Sequence, residues 1–171
     1  MDVLQIVLRI VHILAGVFWV GSAYVLVFFV APTAAELGPD GGRFMAGLNQ
    51  RRKLPGYSAV SAYLTILAGL ILYWRSSDGL DPDWIASGPG IAFTVGGVAA
   101  ILALVLGAAV IGPTARRLGP LSAQVGAAQG PPSPEAVAEL QRLGVRMRSG
   151  SIAVVVLLTT AVVAMAVARY L

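Results

Sequence analysis

Four apolar runs, each long enough to cross a bilayer, constrain this chain more than any other feature. They cover residues 3–31, interrupted only by Gln5, Arg9 and His12, then roughly 57–74, 91–111 and 152–168. A crossing helix needs about 20 predominantly apolar residues, so four of them take about 80 to 100 of the 171 positions. No separate soluble domain of ordinary size fits beside them. Composition agrees, with only 12% charged residues and a mean hydropathy of +0.82, where a soluble domain carries about 25% charged residues. None of the runs has the short apolar core and small-residue cleavage site of a removable signal peptide, so the first is expected to be a span in its own right. The expected fold is an all-α membrane protein: a four-transmembrane-helix bundle, one domain over residues 1–171, with long loops at 32–55 and 112–150.

The net charge of +4 is explained by where the basic residues fall. Arg43, Arg51, Arg52 and Lys53 lie in the first long loop, and Arg116, Arg117, Arg142, Arg146 and Arg148 in the second. The 75–90 connection has Arg75 against Asp78, Asp81 and Asp83, and the terminal segments add only Arg9 and Arg169. The positive-inside rule puts both long loops in the cytoplasm and both termini outside. Tyr73, Trp74, Trp84 and Tyr170 then form an outer aromatic belt. The basic loops read first as orientation signals and only secondarily as an anionic-lipid surface; no nucleic-acid partner is expected. Ser133 followed by Pro134 makes a helix start well before the last span, after a linker at 126–132, and Glu139 and Arg142 can pair on its wet face.

An internal repeat follows the first and third spans. Pro32-Thr-Ala-Ala-Glu-Leu-Gly-Pro39 and Pro113-Thr-Ala-Arg-Arg-Leu-Gly-Pro120 agree at six of eight positions at an offset of 81. Arg52, Gly56 and Thr65 fall on Arg146, Gly150 and Thr159 at an offset of 94. This pattern predicts a duplicated helical hairpin whose copies run in the same direction, related by an axis along the membrane normal. His12 maps onto Phe93 and Trp19 onto Ala100, so the polar residues belong to the first copy alone.

Gln5, Arg9, His12, Gly16, Trp19 and Ala23 fall within a stripe about 80° wide on the first helix. A basic side chain at the centre of a span costs about 2.5 to 3.5 kcal/mol, so it turns inward and usually marks function. Arg9 is near enough to the outer surface to snorkel; His12 is about 14 Å below it. On the second helix Ser58, Ser61, Ala62, Thr65 and Gly69 form a small, hydroxylic face, and on the third Gly96, Ala100, Ala103 and Gly107 suit close packing. The chain has no Cys, which removes thiolate zinc, iron–sulfur and disulfide chemistry. His12 is therefore the natural ligand for a haem iron, with Arg9 meeting a propionate and Gly16, Trp19, Ser61 and Thr65 shaping the pocket. An alternative has His12 hydrogen-bonding Ser58, Ser61 or Thr65 and pinning the bundle. Met165, near the outer end of the fourth helix, is the best-placed Met for a second iron ligand; Met45 and Met147 are cytoplasmic and Met1 is terminal.

The run Arg9-Ile-Val-His12-Ile-Leu-Ala-Gly-Val-Phe-Trp19-Val-Gly21, with Phe44-Met45, Gln50-Arg51-Arg52, Thr65 and Gly69, resembles the first hairpin of a superfamily of small bacterial membrane proteins. That superfamily includes the copper-resistance-protein-D-like domain, the membrane protoporphyrinogen oxidase and several predicted membrane proteins of unknown role. The resemblance implies a four-helix membrane fold and, through the oxidase branch, a haem b ligand role for His12. The segment after Trp19 reads Tyr24-Val-Leu-Val-Phe-Phe-Val-Ala-Pro32, without the Pro-Arg and second His of the oxidase branch, so the uncharacterised branch is the nearest. The expected role is electron transfer, redox or porphyrin chemistry with haem b. The competing expectations are a non-catalytic subunit of a larger membrane complex or homo-oligomer, and a carrier for a metal or small solute.

Overall fold

In the computed structural model, which describes residues 2–128 and 130–171, the chain is helical nearly throughout, with no strand among the described residues. Met1, and Gln129 in the linker, lie outside the described residues. The helices are α1 (Val3–Val25), α2 (Ala31–Glu36), α3 (Pro39–Ala46), α4 (Leu54–Ser76), α5 (Pro82–Ala86), α6 (Gly88–Leu106), α7 (Gly112–Ala127) and α8 (Pro134–Val167). Four continuous helical segments, Val3–Glu36, Leu54–Ser76, Gly88–Ala127 and Pro134–Tyr170, are long and apolar enough to cross a membrane. At 1.5 Å per residue the second is about 35 Å long, near the bilayer's hydrocarbon thickness, and the other three are longer.

The four spans form a ring in which α1 neighbours α4, α4 neighbours α6, α6 neighbours α8 and α8 neighbours α1. The most extensive contacts are α6 with α8 and α1 with α4, the pairs that make up each proposed hairpin. Exchanging α1 with α6 and α4 with α8 leaves this pattern of neighbours unchanged, as two parallel copies about an axis along the bundle require. Trp19, Ala62, Ala103 and Leu158, one from each span, form the central cluster, and Ala99, Ala100 and Ala161 a second one. Small residues let the helices approach closely, which is how membrane helices gain packing energy when lipid is as apolar as leucine. Leu14, Val17, Leu67, Val98 and Val156 face outward, as lipid-facing positions should.

The repeat has a backbone signature. Widened π-turns occupy Leu26–Val30 and Gly107–Ile111, which are the same positions at the offset of 81. Ala31 N–H bonds to the Leu26 carbonyl and Gly112 N–H to the Gly107 carbonyl, one residue before Pro32 and Pro113. A proline inside a helix lacks a donor and its ring presses on the carbonyl four residues back; widening the preceding turn relieves that clash without stopping the helix.

The segments expected as loops, 32–55 and 112–150, are largely helical. Proline at 113 does not end the third span, and Pro120 lies inside α7. The first copy does break, at Gly38, whose φ of 56° lies where side chains are disfavoured. The chain then folds back so tightly that a Cβ on Gly41 would stand 1.8 Å from the Ala34 carbonyl oxygen. Ser133 caps α8 as the sequence indicates, its Oγ accepting from Ala136 N–H at 3.2 Å. Arg142 meets Glu139 through two hydrogen bonds of 2.8 Å. The hydrogen bond from Arg142 and its positive charge hold the Glu139 carboxyl below its ordinary range.

Asp2 forms an ion pair with Arg75 at the end of α4, and a Cβ on Gly88 would meet Leu171 at 3.0 Å. Both terminal segments and the 77–88 connection therefore share one end of the bundle. The opposite end, where α3 meets α7 and α7 packs on α8, carries the nine basic residues of the long connections.

Candidate functional site

His12 lies half-buried in the seam between α1 and α4. Its Nδ1 is 2.8 Å from the backbone carbonyl oxygen of Thr65. A carbonyl only accepts, so this contact requires the proton on Nδ1, and in the neutral ring Nε2 keeps its lone pair. The space for the imidazole comes from Gly69: a Cβ there would stand 2.9 Å from Cε1 and 3.1 Å from Nδ1 of His12. Thr65 is one of the three partners that the sequence offers on α4, and it accepts through its main-chain oxygen rather than its hydroxyl. The Thr65 hydroxyl is engaged one turn back, donating to the Ser61 carbonyl at 2.7 Å.

The other expected site residues are dispersed around this seam. Gly16 brings α1 against Thr65, and a Cβ at position 16 would meet Thr65 Cγ2 at 3.6 Å and Oγ1 at 3.8 Å. Thr65 thus fills the space expected for a macrocycle beside Gly16. Trp19 is buried at the centre of the bundle against Ala62, Ala103 and Leu158. Ser61 contributes its backbone, as described. Arg9 is exposed on α1. Met165 packs across the α6–α8 seam, where its Cγ would be 2.9 Å from a Cβ on Gly96; His12 belongs to a different seam.

Polar contacts that composition does not foreshadow tie the site into the bundle. Ser22 donates to the Trp19 carbonyl at 2.9 Å and lies 3.2 Å from the Ser58 hydroxyl. The Tyr24 hydroxyl meets Thr159 on α8, and the Tyr73 hydroxyl meets Thr94 on α6 at 2.6 Å. Thr159 also donates to the Val155 carbonyl at 2.7 Å, repeating at the offset of 94 what Thr65 does with Ser61. Phe93, the counterpart of His12, stacks parallel to Trp84 with ring centroids 6.4 Å apart. The repeat already pairs Thr65 with Thr159, whereas nothing in the spacing of Tyr24 points to α8.

The donor chemistry of this site fits a haem iron or another acceptor of an imidazole lone pair. An Nδ1–H held by a backbone carbonyl is the usual outer-shell arrangement of a metal-ligating histidine. The volume inside the α1–α4 seam does not fit a macrocycle, because Gly16, Thr65, Gly69 and the imidazole are already in contact. Among the described residues no group of three or more His, Cys, Asp or Glu side chains converges to hold a metal ion, so a metal reading rests on His12. A surface depression of about 420 Å³ runs along Val156, Thr159, Thr160, Val163 and Ala164 on the α8 face.

Fold and site together define a class: an all-α protein with four membrane-spanning helices and one histidine held inside the bundle. Searches of protein families, of curated proteins and of solved structures find no match to this chain.

Proposed function

We propose that this is an integral membrane protein of the bacterial inner membrane, both termini outside, that holds haem b through Nε2 of His12. The reading is supported by one observation, the Nδ1 contact with the Thr65 carbonyl, which leaves the other ring nitrogen as a free donor of electrons. When bound there, haem would supply one-electron redox chemistry, suited to electron transfer or to porphyrin-linked oxidation. The part of the chain's own residues is positional. Thr65 fixes the tautomer and the ring plane, Gly69 admits the ring, and Gly16 sets the approach of the two helices. Because the seam is closed, a macrocycle would have to reach Nε2 from outside it, and Trp19 acts as core rather than as a pocket wall.

The closure of the seam favours a second reading, in which His12 pins α1 to α4 in a non-catalytic subunit of a larger assembly. One measurement separates the two. Protein purified in mild detergent from haem-replete cells should show a Soret band that is lost or shifted in His12→Ala. A colourless preparation that still unfolds cooperatively, and that His12→Ala destabilises, would leave only the pin.

A further inference from the structure

We infer that the basic end of the bundle is a binding surface for anionic phospholipid headgroups. The positive-inside rule explains which side the cations lie on; it does not require them to share one depth or to stand outside the ion pairs. Here they do both. A Cβ on Gly150 would stand 2.9 Å from Cδ1 of Ile111, which sets residues 111 and 150 at one level, where the apolar parts of the third and fourth spans end. Arg148 and Arg146 lie about 3 and 6 Å beyond that level along α8, and Arg116 and Arg117 about 8 and 9 Å beyond it along α7, at 1.5 Å per residue. Arg51, Arg52 and Lys53 immediately precede α4, and the repeat places Arg52 opposite Arg146. The headgroup layer is about 5 to 8 Å thick on each side of the hydrocarbon, so all seven fall in or beside it.

All seven side chains are exposed, and none forms an ion pair with another described residue. The ion pairs at this end are Arg43 with Asp40 and Arg142 with Glu139; Arg117 also acts on Glu139, through its charge and without an ion pair. Contact between α3 and α7 joins the two clusters across the hairpins into one band. Lipid phosphates are the anions that occur at this depth, each cation near such a surface strengthens association about fivefold at low salt, and the attraction is screened by salt. This surface is independent of any role for His12.

The test uses the full chain in mild detergent, with the melting midpoint followed as phosphatidylglycerol or phosphatidylcholine is titrated in. Phosphatidylglycerol should raise the midpoint by several degrees more than phosphatidylcholine, and salt near 1 M, where the screening length is about 3 Å, should abolish the difference. Replacing Arg116, Arg117, Arg146 and Arg148 by Gln should weaken the apparent phosphatidylglycerol affinity more than tenfold, while Arg169→Gln, at the opposite end, should leave it unchanged. Equal responses to the two lipids, a response indifferent to salt, or full retention in the fourfold variant would each overturn the proposal. So would inorganic phosphate reproducing the stabilisation without lipid. Should the fourfold variant fail to fold, the lipid and salt comparisons on the native chain still decide.

Discussion

Gly69→Ala is the sharpest perturbation that the α1–α4 seam offers. The new methyl carbon would stand 2.9 Å from Cε1 and 3.1 Å from Nδ1 of His12, well inside van der Waals contact. The obstructing atoms belong to a ring held by a 2.8 Å bond to Thr65, so relief requires the imidazole to leave its acceptor or the helices to separate. Losing the hydrogen bond costs about 0.5 to 1.5 kcal/mol and overpacking about 1 to 3 kcal/mol. Alanine returns about 1 kcal/mol of helix propensity. The net loss is about 0.5 to 3.5 kcal/mol, measured by chemical unfolding in mild detergent. The cost should largely vanish in the His12→Ala background, where the methyl group has room, so a double-mutant cycle reads the coupling directly. A Gly69→Ala protein as stable as the native one, or a cost that persists unchanged without His12, would refute this account of the seam.

Gly16→Ala is the contrasting case: its methyl would meet Thr65 at the ordinary contact distances of 3.6 and 3.8 Å, and the variant should be neutral or up to about 1 kcal/mol more stable in the same assay. Trp19→Ala should cost roughly 3 kcal/mol or more by opening a cavity at the cluster to which all four spans contribute, seen as a lowered unfolding midpoint. The Gln5 backbone N–H and the Arg75 guanidinium hold the Asp2 carboxyl below its ordinary value of 3.8. Its stabilising contribution is therefore complete above that value and lost as the pH falls below it. The native chain should lose more of its melting temperature than Asp2→Asn across that acid range, because asparagine can still cap α1 but cannot titrate.

The four spans were legible because a bilayer leaves so few options: apolar runs of this length must be helices whose backbone groups are satisfied internally. The cap at Ser133 and the Glu139–Arg142 pair were legible for the same local reason, since both depend only on residues three apart. The helices within 32–55 and at 112–127 were not legible, because a proline that the backbone accommodates looks the same in sequence as one that does not. At Pro113 the widened turn at Gly107–Ile111 absorbs the ring and the helix runs on to Ala127, and that adjustment leaves no mark in hydropathy. The stripe on α1 was a correct statement about direction and an incomplete one about partners. It placed Gly16, His12 and Trp19 on the inward face, but which α4 atoms they meet depends on the rotation and depth of α4, fixed by tertiary packing.

The duplication gives the His12 seam a comparison inside the same chain. At the offsets of 81 and 94, His12 and Gly69 correspond to Phe93 and Val163, while Thr65 and Thr159 are retained and make equivalent bonds to the carbonyls four residues back. These two differences are physically linked, because the imidazole occupies the space that any side chain at position 69 would need. A valine there is compatible only with a ring that points elsewhere, and Phe93 does so, stacking on Trp84. The copies therefore differ by a coupled pair, not by one histidine gained or lost. Installing His at position 93 alone should not create a second Nδ1–carbonyl contact, whereas Phe93→His together with Val163→Gly should. The double variant ought to be measurably more stable than the sum of its two single changes, and strict additivity would refute the link.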